Sequence, residues 1–167
     1  PVLANVGSVR TDGIDIAGTV HFGNNFSFYN ALSYNRSQYA DNYSNGAALV
    51  LTAGKNVPGS PEWLNKFVAS ATIGDVEFQL IGDYVGKRYA TYTNDLSVPS
   101  YFLMGLGVSG KLPAMASWLK NPRWRLNVSN LANREGALNV VVGAADKTYN
   151  TFPIAPRQGF LTLTADF

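Results

Sequence analysis

Gly159-Phe160-Leu161-Thr162-Leu163-Thr164-Ala165-Asp166-Phe167 is the stretch on which the fold turns. Phe167, Ala165, Leu163, Leu161 and Gly159 fall on one face of an extended strand, and Phe160, Thr162, Thr164 and Asp166 fall on the other. Successive side chains of a strand point to opposite faces, so an apolar wall is backed by a mostly polar one. A transmembrane β-barrel needs that pattern, because one face meets lipid and the other a wet lumen.

Composition agrees. Only 14% of the 167 residues are charged, against roughly 25% in soluble domains. Mean hydropathy is nevertheless near neutral, at −0.03. Apolar residues therefore alternate with Ser, Thr, Asn and Gly instead of clustering. No apolar run approaches the ~18 residues of a membrane helix. The longest, residues 137–145, is broken by Asn139 and Gly143. A net charge of +2 gives no electrostatic case for nucleic acid. The chain has no cysteine, which removes thiolate metal sites and disulfides.

Working back from the terminus, the alternation predicts about seven antiparallel strands, at residues 6–22, 26–43, 61–73, 76–90, 101–112, 123–135 and 157–167. Ile14, Ile16, Val20 and Phe22 mark the apolar face of the first. Phe26, Phe28, Leu32 and Tyr34 mark the second, and Trp63, Phe67, Ala69, Ala71 and Ile73 the third. Val76, Phe78, Leu80 and Tyr84 mark the fourth; Phe102, Met104, Leu106, Val108 and Leu112 the fifth; Trp124, Leu126 and Val128 the sixth. Strands this long exceed the five or six residues usual in soluble sheets. They match the ~9–11 residues that cross hydrocarbon, with an excess standing above it.

Connections alternate in length. Residues 23–25, 74–75 and 113–122 form one set, the last with room for a helical turn through Ala116, Trp118 and Leu119. Residues 44–60, 91–100 and 136–156 form the longer set, except that 113–122 equals 91–100 in length. Short periplasmic turns and longer outer loops are the asymmetry of bacterial barrels. Tyr39, Tyr43, Tyr84, Tyr89 and Tyr92 then fall near the outer strand ends, and Phe22, Phe26, Trp118 and Trp124 near the inner ends. That is the two-girdle distribution expected at lipid–water interfaces. A soluble β-sandwich is the competing architecture, but long strands and loop asymmetry are not its habit. An odd strand count leaves open edges in lipid, so the chain reads as a piece of a larger barrel that begins before Pro1 and ends at Phe167.

Four segments resemble the C-terminal end of TonB-dependent outer-membrane receptors. Asn127-Val128-Ser129-Asn130-Leu131-Ala132-Asn133 resembles the family's penultimate-strand pattern, and Ala155-Pro156-Arg157-Gln158-Gly159-Phe160 through Phe167 its final strand. Asn5-Val6-Gly7 with Gly13-Ile14-Asp15-Ile16 resembles an earlier strand, and Val57-Pro58-Gly59-Ser60-Pro61 a loop between strands. The resemblance implies the last seven strands of a barrel of roughly 22, over residues 1–167, with the plug domain and TonB box absent from this chain. It implies active uptake of a scarce nutrient, such as an iron chelate, cobalamin or saccharide, energised by TonB–ExbB–ExbD through the missing N-terminal part. It further implies the outer membrane, contact with its lipid and lipopolysaccharide, the barrel-assembly machinery and the remainder of the same barrel. Phe167, Leu163 and Leu161 resemble the family's assembly signal.

No catalytic chemistry is expected. His21 is the only histidine and has no cysteine or histidine partner for a metal. No Gly-x-Ser-x-Gly elbow occurs, and Gly105, Gly107 and Gly110 read as strand glycines, not a nucleotide fingerprint. No cofactor is expected. Candidate ligand contacts lie at outer strand ends and loops: Asp41, Asn42, Tyr43, Lys87, Arg88, Tyr89, Tyr92, Lys147 and Tyr149. Cations there suit an anion, and aromatics suit a sugar or catechol; lipopolysaccharide contact or loop solubility explains the same residues. A porin or an adhesive envelope protein is the alternative function.

Overall fold

The structure, a computed structural model, describes residues 7–45, 48–113, 120–142 and 149–166. Their elements are all strands: β1 (Val9–Phe22), β2 (Phe26–Tyr39), β3 (Tyr43–Asn45), β4 (Ala48–Val50), β5 (Trp63–Ile73), β6 (Val76–Val85), β7 (Arg88–Tyr89), β8 (Ser97–Val98), β9 (Tyr101–Lys111), β10 (Lys120–Ser129), β11 (Ala137–Val142), β12 (Tyr149–Pro153) and β13 (Gln158–Asp166). Seven of them form one antiparallel meander in the order β1-β2-β5-β6-β9-β10-β13. Each long strand pairs with its neighbour in sequence, as the alternation predicts. The sheet is an open wall, with β1 and β13 as its two edges.

Register decides the faces, because directly opposed residues share a side. Ile16 opposes Leu32, Phe28 opposes Ala69, and Ala69 opposes Leu80. Leu80 opposes Leu106, Val108 opposes Leu126, and Leu126 opposes Leu161. The alternating apolar residues of all seven strands thus merge into one continuous face, while Val68, Ile81, Leu103 and Phe160 fall on the other. Their neighbours one position along build the other: Ser27 opposes Ser70, which opposes Gln79, while Ser109 opposes Arg125, which opposes Thr162. A one-residue slip in any pairing would mix the two faces, so the apolar pattern fixes register here.

The apolar face is bare. Ile16, Phe22, Leu161 and Leu163 are each more than 60% exposed. A soluble protein does not leave so large a contiguous apolar surface uncovered. Among the described residues the buried apolar side chains are Tyr39, Val98, Ile154 and Pro122, the last near the inner end of β10, and none lies mid-strand in the wall. Among the described residues the wall has no second layer, and both its faces are open.

Aromatic rings cross the apolar face. Phe28 stacks on Phe67 at 5.9 Å and Phe67 on Phe102 at 6.2 Å, although β6 lies between β5 and β9. Gly82 makes this possible. It stands opposite both Phe67 and Met104, and a Cβ there would meet the Phe67 ring at 2.2 Å. The ring fills the space that a side chain would occupy. Midway along this face one polar pair is self-contained, whereas Arg10, Asp12, Arg36 and Gln38 gather at its outer end. Asn30 and Asn65 exchange amide hydrogen bonds of 3.3 and 3.1 Å, and each donates to a backbone carbonyl, of Lys66 and Ala31 respectively. Amides facing hydrocarbon need such partners.

The lumen face carries the ions. Lys66 and Asp83 are cross-strand partners 3.7 Å apart, Lys111 reaches Asp75 at 3.4 Å, and Arg125 donates to Gln79 at 3.3 Å. These are exposed pairs, each worth about 0–1 kcal/mol. They place charge without stabilising the wall much.

The inner turns are tight. Gly74 takes φ 60° at the first position of the two-residue turn between Ile73 and Val76, as a type II′ hairpin requires. The third inner connection is shorter than residues 113–122, because β10 starts at Lys120. The pairing of β10 with β13 is irregular between Lys120 and Arg123, and Asn121 adopts φ 47°. A bulge lets Pro122, which has no N–H to donate, sit inside a strand. Residues 114–119, with the proposed helical turn and Trp118, lie outside the described residues, as does Phe167.

At the outer end three strands stop earlier than the alternation predicts. β2 ends at Tyr39 and not 43, β6 at Val85 and not 90, and β10 at Ser129 and not 135. Each then gives way to a small hairpin, β3–β4, β7–β8 or β11–β12.

Candidate functional site

Three outer connections converge above the wall. Their geometry is set by side chains bonding to backbone, which is how Asn and Thr draw a chain out of a ladder. Asn42 Oδ1 accepts from the N–H of both Thr52 and Ala53 at 2.9 Å, and the Thr52 hydroxyl donates to the Asp41 carbonyl. Thr52 is fully buried. These bonds close the first loop around β3 and β4.

A second clamp joins the first loop to the next. Asn94, at φ 62°, accepts from the Asn56 N–H at 2.7 Å and donates to the carbonyls of Asn56 and Thr91. Asn56 in turn accepts from Gln38 and donates to Glu62. A third clamp sits under the last loop. Asn130, at φ 48°, accepts from Arg134 N–H and donates to the carbonyls of Arg134 and Ala155. Asn133 accepts from Arg157 N–H at 2.9 Å. Asn130 and Asn133 therefore form a turn at the end of β10 that ties it to the start of β13.

Between the loops lies an open cleft of about 580 Å³. Tyr43 and Val50 come from the first loop, Thr91, Tyr92, Thr93 and Asp95 from the second, and Asn139, Val140 and Val141 from the third. Tyr92 stands edge-on to both Tyr39 and Tyr43, with ring centroids 6.2 and 6.4 Å apart. Asp95 Oδ1 accepts from the Thr91 and Thr93 hydroxyls. Those two bonds, Thr91 first, hold the carboxyl below the usual carboxylate range. Asp95 and the two threonines carry no motif; nothing local in the sequence separates them from other loop residues.

The candidate residues divide. Tyr43 and Tyr92 line the cleft. Asp41 and Asn42 bound the first loop, and the Asn42 carbonyl oxygen is occupied by backbone. Lys87 lies 5.1 Å from the centre of the Tyr89 ring. Arg88 is 4% exposed and lies over Tyr101 at 5.5 Å, and its two terminal nitrogens have no hydrogen-bond partner. Tyr149 begins β12, and Lys147 lies outside the described residues. The outer girdle also differs from expectation. Tyr39 is buried and belongs with Tyr43 and Tyr92 in the loop cluster. The rings that face outward near the outer strand ends are Tyr34, Trp63, Tyr84 and Phe102, with Tyr34 and Trp63 4.8 Å apart. Tyr39 sits on the lumen-side parity of β2, which alternation alone reveals once the facing of that strand is fixed.

Solved structures share this architecture. The siderophore receptor PiuA of Acinetobacter baumannii superposes with a TM-score of 0.77 at 15% identity, over 95% of this chain and 22% of its own. The ferric yersiniabactin uptake receptor FyuA of Yersinia pestis gives 0.76 at 17%, over 98% and 24%. BauA, the ferric preacinetobactin receptor of Acinetobacter baumannii, gives 0.72 at 20%, over 98% and 23%. The chain therefore spans under a quarter of the length of these receptors, and at such identities the likeness is one of fold. No curated protein matches the sequence. The family described as TonB dependent receptor-like, beta-barrel, matches residues 1–131 of the 167. The chain belongs to the TonB-dependent receptor family, as part of its β-barrel.

Proposed function

We propose that this chain forms a C-terminal portion of the wall and outer mouth of an outer-membrane receptor that takes up a scarce nutrient. Uptake draws on energy relayed by TonB with ExbB and ExbD to parts of the receptor outside this chain. The observation that carries the reading is the two-sided sheet, with one continuous apolar face, one ionic face and three loops converging at a single end. Such a wall suits lipid on its outside and a wet, plugged lumen inside. Membership of the receptor family favours this over a porin or an adhesive protein.

The loop cluster is the ligand side of this proposal. Tyr43 and Tyr92 present faces to the mouth, while Lys87, Arg88, Tyr89, Asp41, Asn42, Lys147 and Tyr149 stand around it or on the same loops. The barrel-assembly machinery would read Leu161 and Leu163 of β13 together with the terminal residue Phe167. Lipid and lipopolysaccharide cover the outside, and the rest of the barrel completes the edges at β1 and β13. The test is twofold. The full receptor should fractionate with the outer membrane, and deleting Phe167 should reduce its level there. Nutrient-limited growth that depends on the receptor should vanish when TonB is removed. Growth that persists without TonB would favour a porin.

A further inference from the structure

The cleft between the three outer loops has a definite chemical character. Among the described residues no lysine or arginine lines it. Lys87 is directed to the Tyr89 ring, and the Arg88 terminal nitrogens are buried. The one ionised group in the lining is Asp95. Among the described lining residues, an anion would meet that carboxylate with no cation to offset it.

The hydrogen-bonding pattern is equally one-sided. The Thr91 and Thr93 hydroxyl protons are directed at Asp95 Oδ1, and Thr91 Oγ1 also accepts from Leu96 N–H. What the two threonines and Asp95 offer outward is therefore lone pairs. A hydroxyl has two acceptor sites and an ionised carboxylate about four, so several stay free. The cleft wants hydrogen-bond donors. Beside them the half-exposed Tyr92 ring and Tyr43 present flat apolar surface. Aromatic faces beside acceptors complement a sugar ring, which shows C–H bonds on its flat side and hydroxyl donors at its rim. The site is also held in shape before any ligand arrives. The Asn56–Asn94 clamp fixes the Thr91–Asp95 loop, and the Asn42–Thr52 clamp fixes the Tyr43 side. Preorganisation of this kind lowers the ordering cost of binding.

We infer that this cleft binds the face of a neutral saccharide, not an anionic metal chelate. Tyr92 takes the flat side of a sugar ring, with the Tyr43 ring edge-on beside it, and Thr93 with Asp95 takes its hydroxyls. The inference rests on the receptor reading above and narrows its substrate class.

The test uses the full-length receptor, purified in detergent and titrated calorimetrically with neutral oligosaccharides (α-glucan, β-glucan, xylan, mannan and chitin fragments), with ferric citrate, with a ferric tris-catecholate, and with micellar lipopolysaccharide. At least one neutral oligosaccharide should bind, with affinity reduced about tenfold in Tyr92→Ala. Thr93→Val, nearly isosteric, should weaken it several-fold while leaving the thermal melting of the receptor unchanged. Binding of lipopolysaccharide alone would place the sugar on a surface glycolipid and overturn a nutrient role for the cleft. Binding of a ferric chelate that Tyr92→Ala abolishes would overturn the saccharide class, as would failure of every oligosaccharide to bind. The receptor reading is judged separately, by outer-membrane fractionation and TonB-dependent growth. A receptor that passes both but binds only chelates refutes the ligand class alone.

Discussion

The wall and the mouth of this chain are held together by different physics. The wall is one layer thick, with apolar side chains that face outward and no buried core; its order comes from continuous strand pairing and a strict two-residue alternation. The mouth has almost no regular ladder. It is knit by Asn42, Asn94 and Asn130, each bonding to backbone across a turn or between loops, and by Asn56, whose side chain joins Gln38 to Glu62. It also holds the buried apolar side chains Tyr39, Val98 and Ile154. A periodic scaffold tolerates change at many positions provided polarity is kept. A loop cluster built from a few side-chain clamps depends on each of them.

That contrast can be broken most forcefully at Leu106. An arginine there would face hydrocarbon near mid-strand and cost about 2–4 kcal/mol, whereas Ser109→Arg, on the lumen side of the same strand, should be nearly silent. Unfolding of the full receptor from lipid by denaturant compares the two. If Ser109→Arg proved the worse, the assigned facing would be inverted.

Asn130→Ala probes the mouth in the same way. It removes three hydrogen bonds and leaves a residue with a Cβ at φ 48°. A loss of about 2–3 kcal/mol is expected, from three hydrogen bonds worth about 0.5–1.5 kcal/mol each. Limited proteolysis should show cleavage in the last outer loop before the wall unfolds.

Gly82→Ala tests the one place where the wall relies on close packing. Its Cβ would displace the Phe67 ring and interrupt the Phe28–Phe67–Phe102 stack. The ring can swing into lipid, so about 1 kcal/mol is expected, at the low end of overpacking costs. Gly82→Ala combined with Phe67→Ala should lose less than the sum of the single changes.

The smallest effect is on pH. The Asp95 carboxyl is held below its ordinary range in the folded loop by the Thr91 and Thr93 hydroxyls. The stabilisation is therefore present above the unfolded value and is lost as pH falls through the lowered folded value. Acidification should loosen the Thr91–Asp95 segment, visible as faster amide exchange there. Asp95→Asn should remove that pH dependence and leave the wall unchanged.

The wall was legible in the sequence because its signal is periodic and repeated. Ile14, Phe28, Leu80, Leu106, Leu126 and Leu161 each sit in an alternating run, and six successive pairings bring those runs onto one face. Strand ends were not legible. Continuing the alternation past Tyr39, Val85 and Ser129 overran each strand, because nearby polar groups, Asn42 and Asn130 among them, bond backbone outside the ladder. The short hairpins were missed for a related reason: β7 and β8 have two residues each, too few to show a period. Tyr43 and Tyr92 stood out as aromatic residues near outer strand ends. Their union with Thr93, Asp95 and Asn139 depends on loop contacts across some hundred residues of sequence, which local pattern does not encode.

The facing of the wall is the claim on which everything else stands, and the chain has no cysteine to confuse its measurement. Single cysteines placed in turn at residues 102–109 of the full receptor, spin-labelled in lipid, report accessibility to oxygen and to a water-soluble nickel chelate. Collisions with oxygen should peak at Phe102, Met104, Leu106 and Val108, and collisions with the chelate at Leu103, Gly105, Gly107 and Ser109. The opposite phase, or no two-residue period at all, would contradict the account.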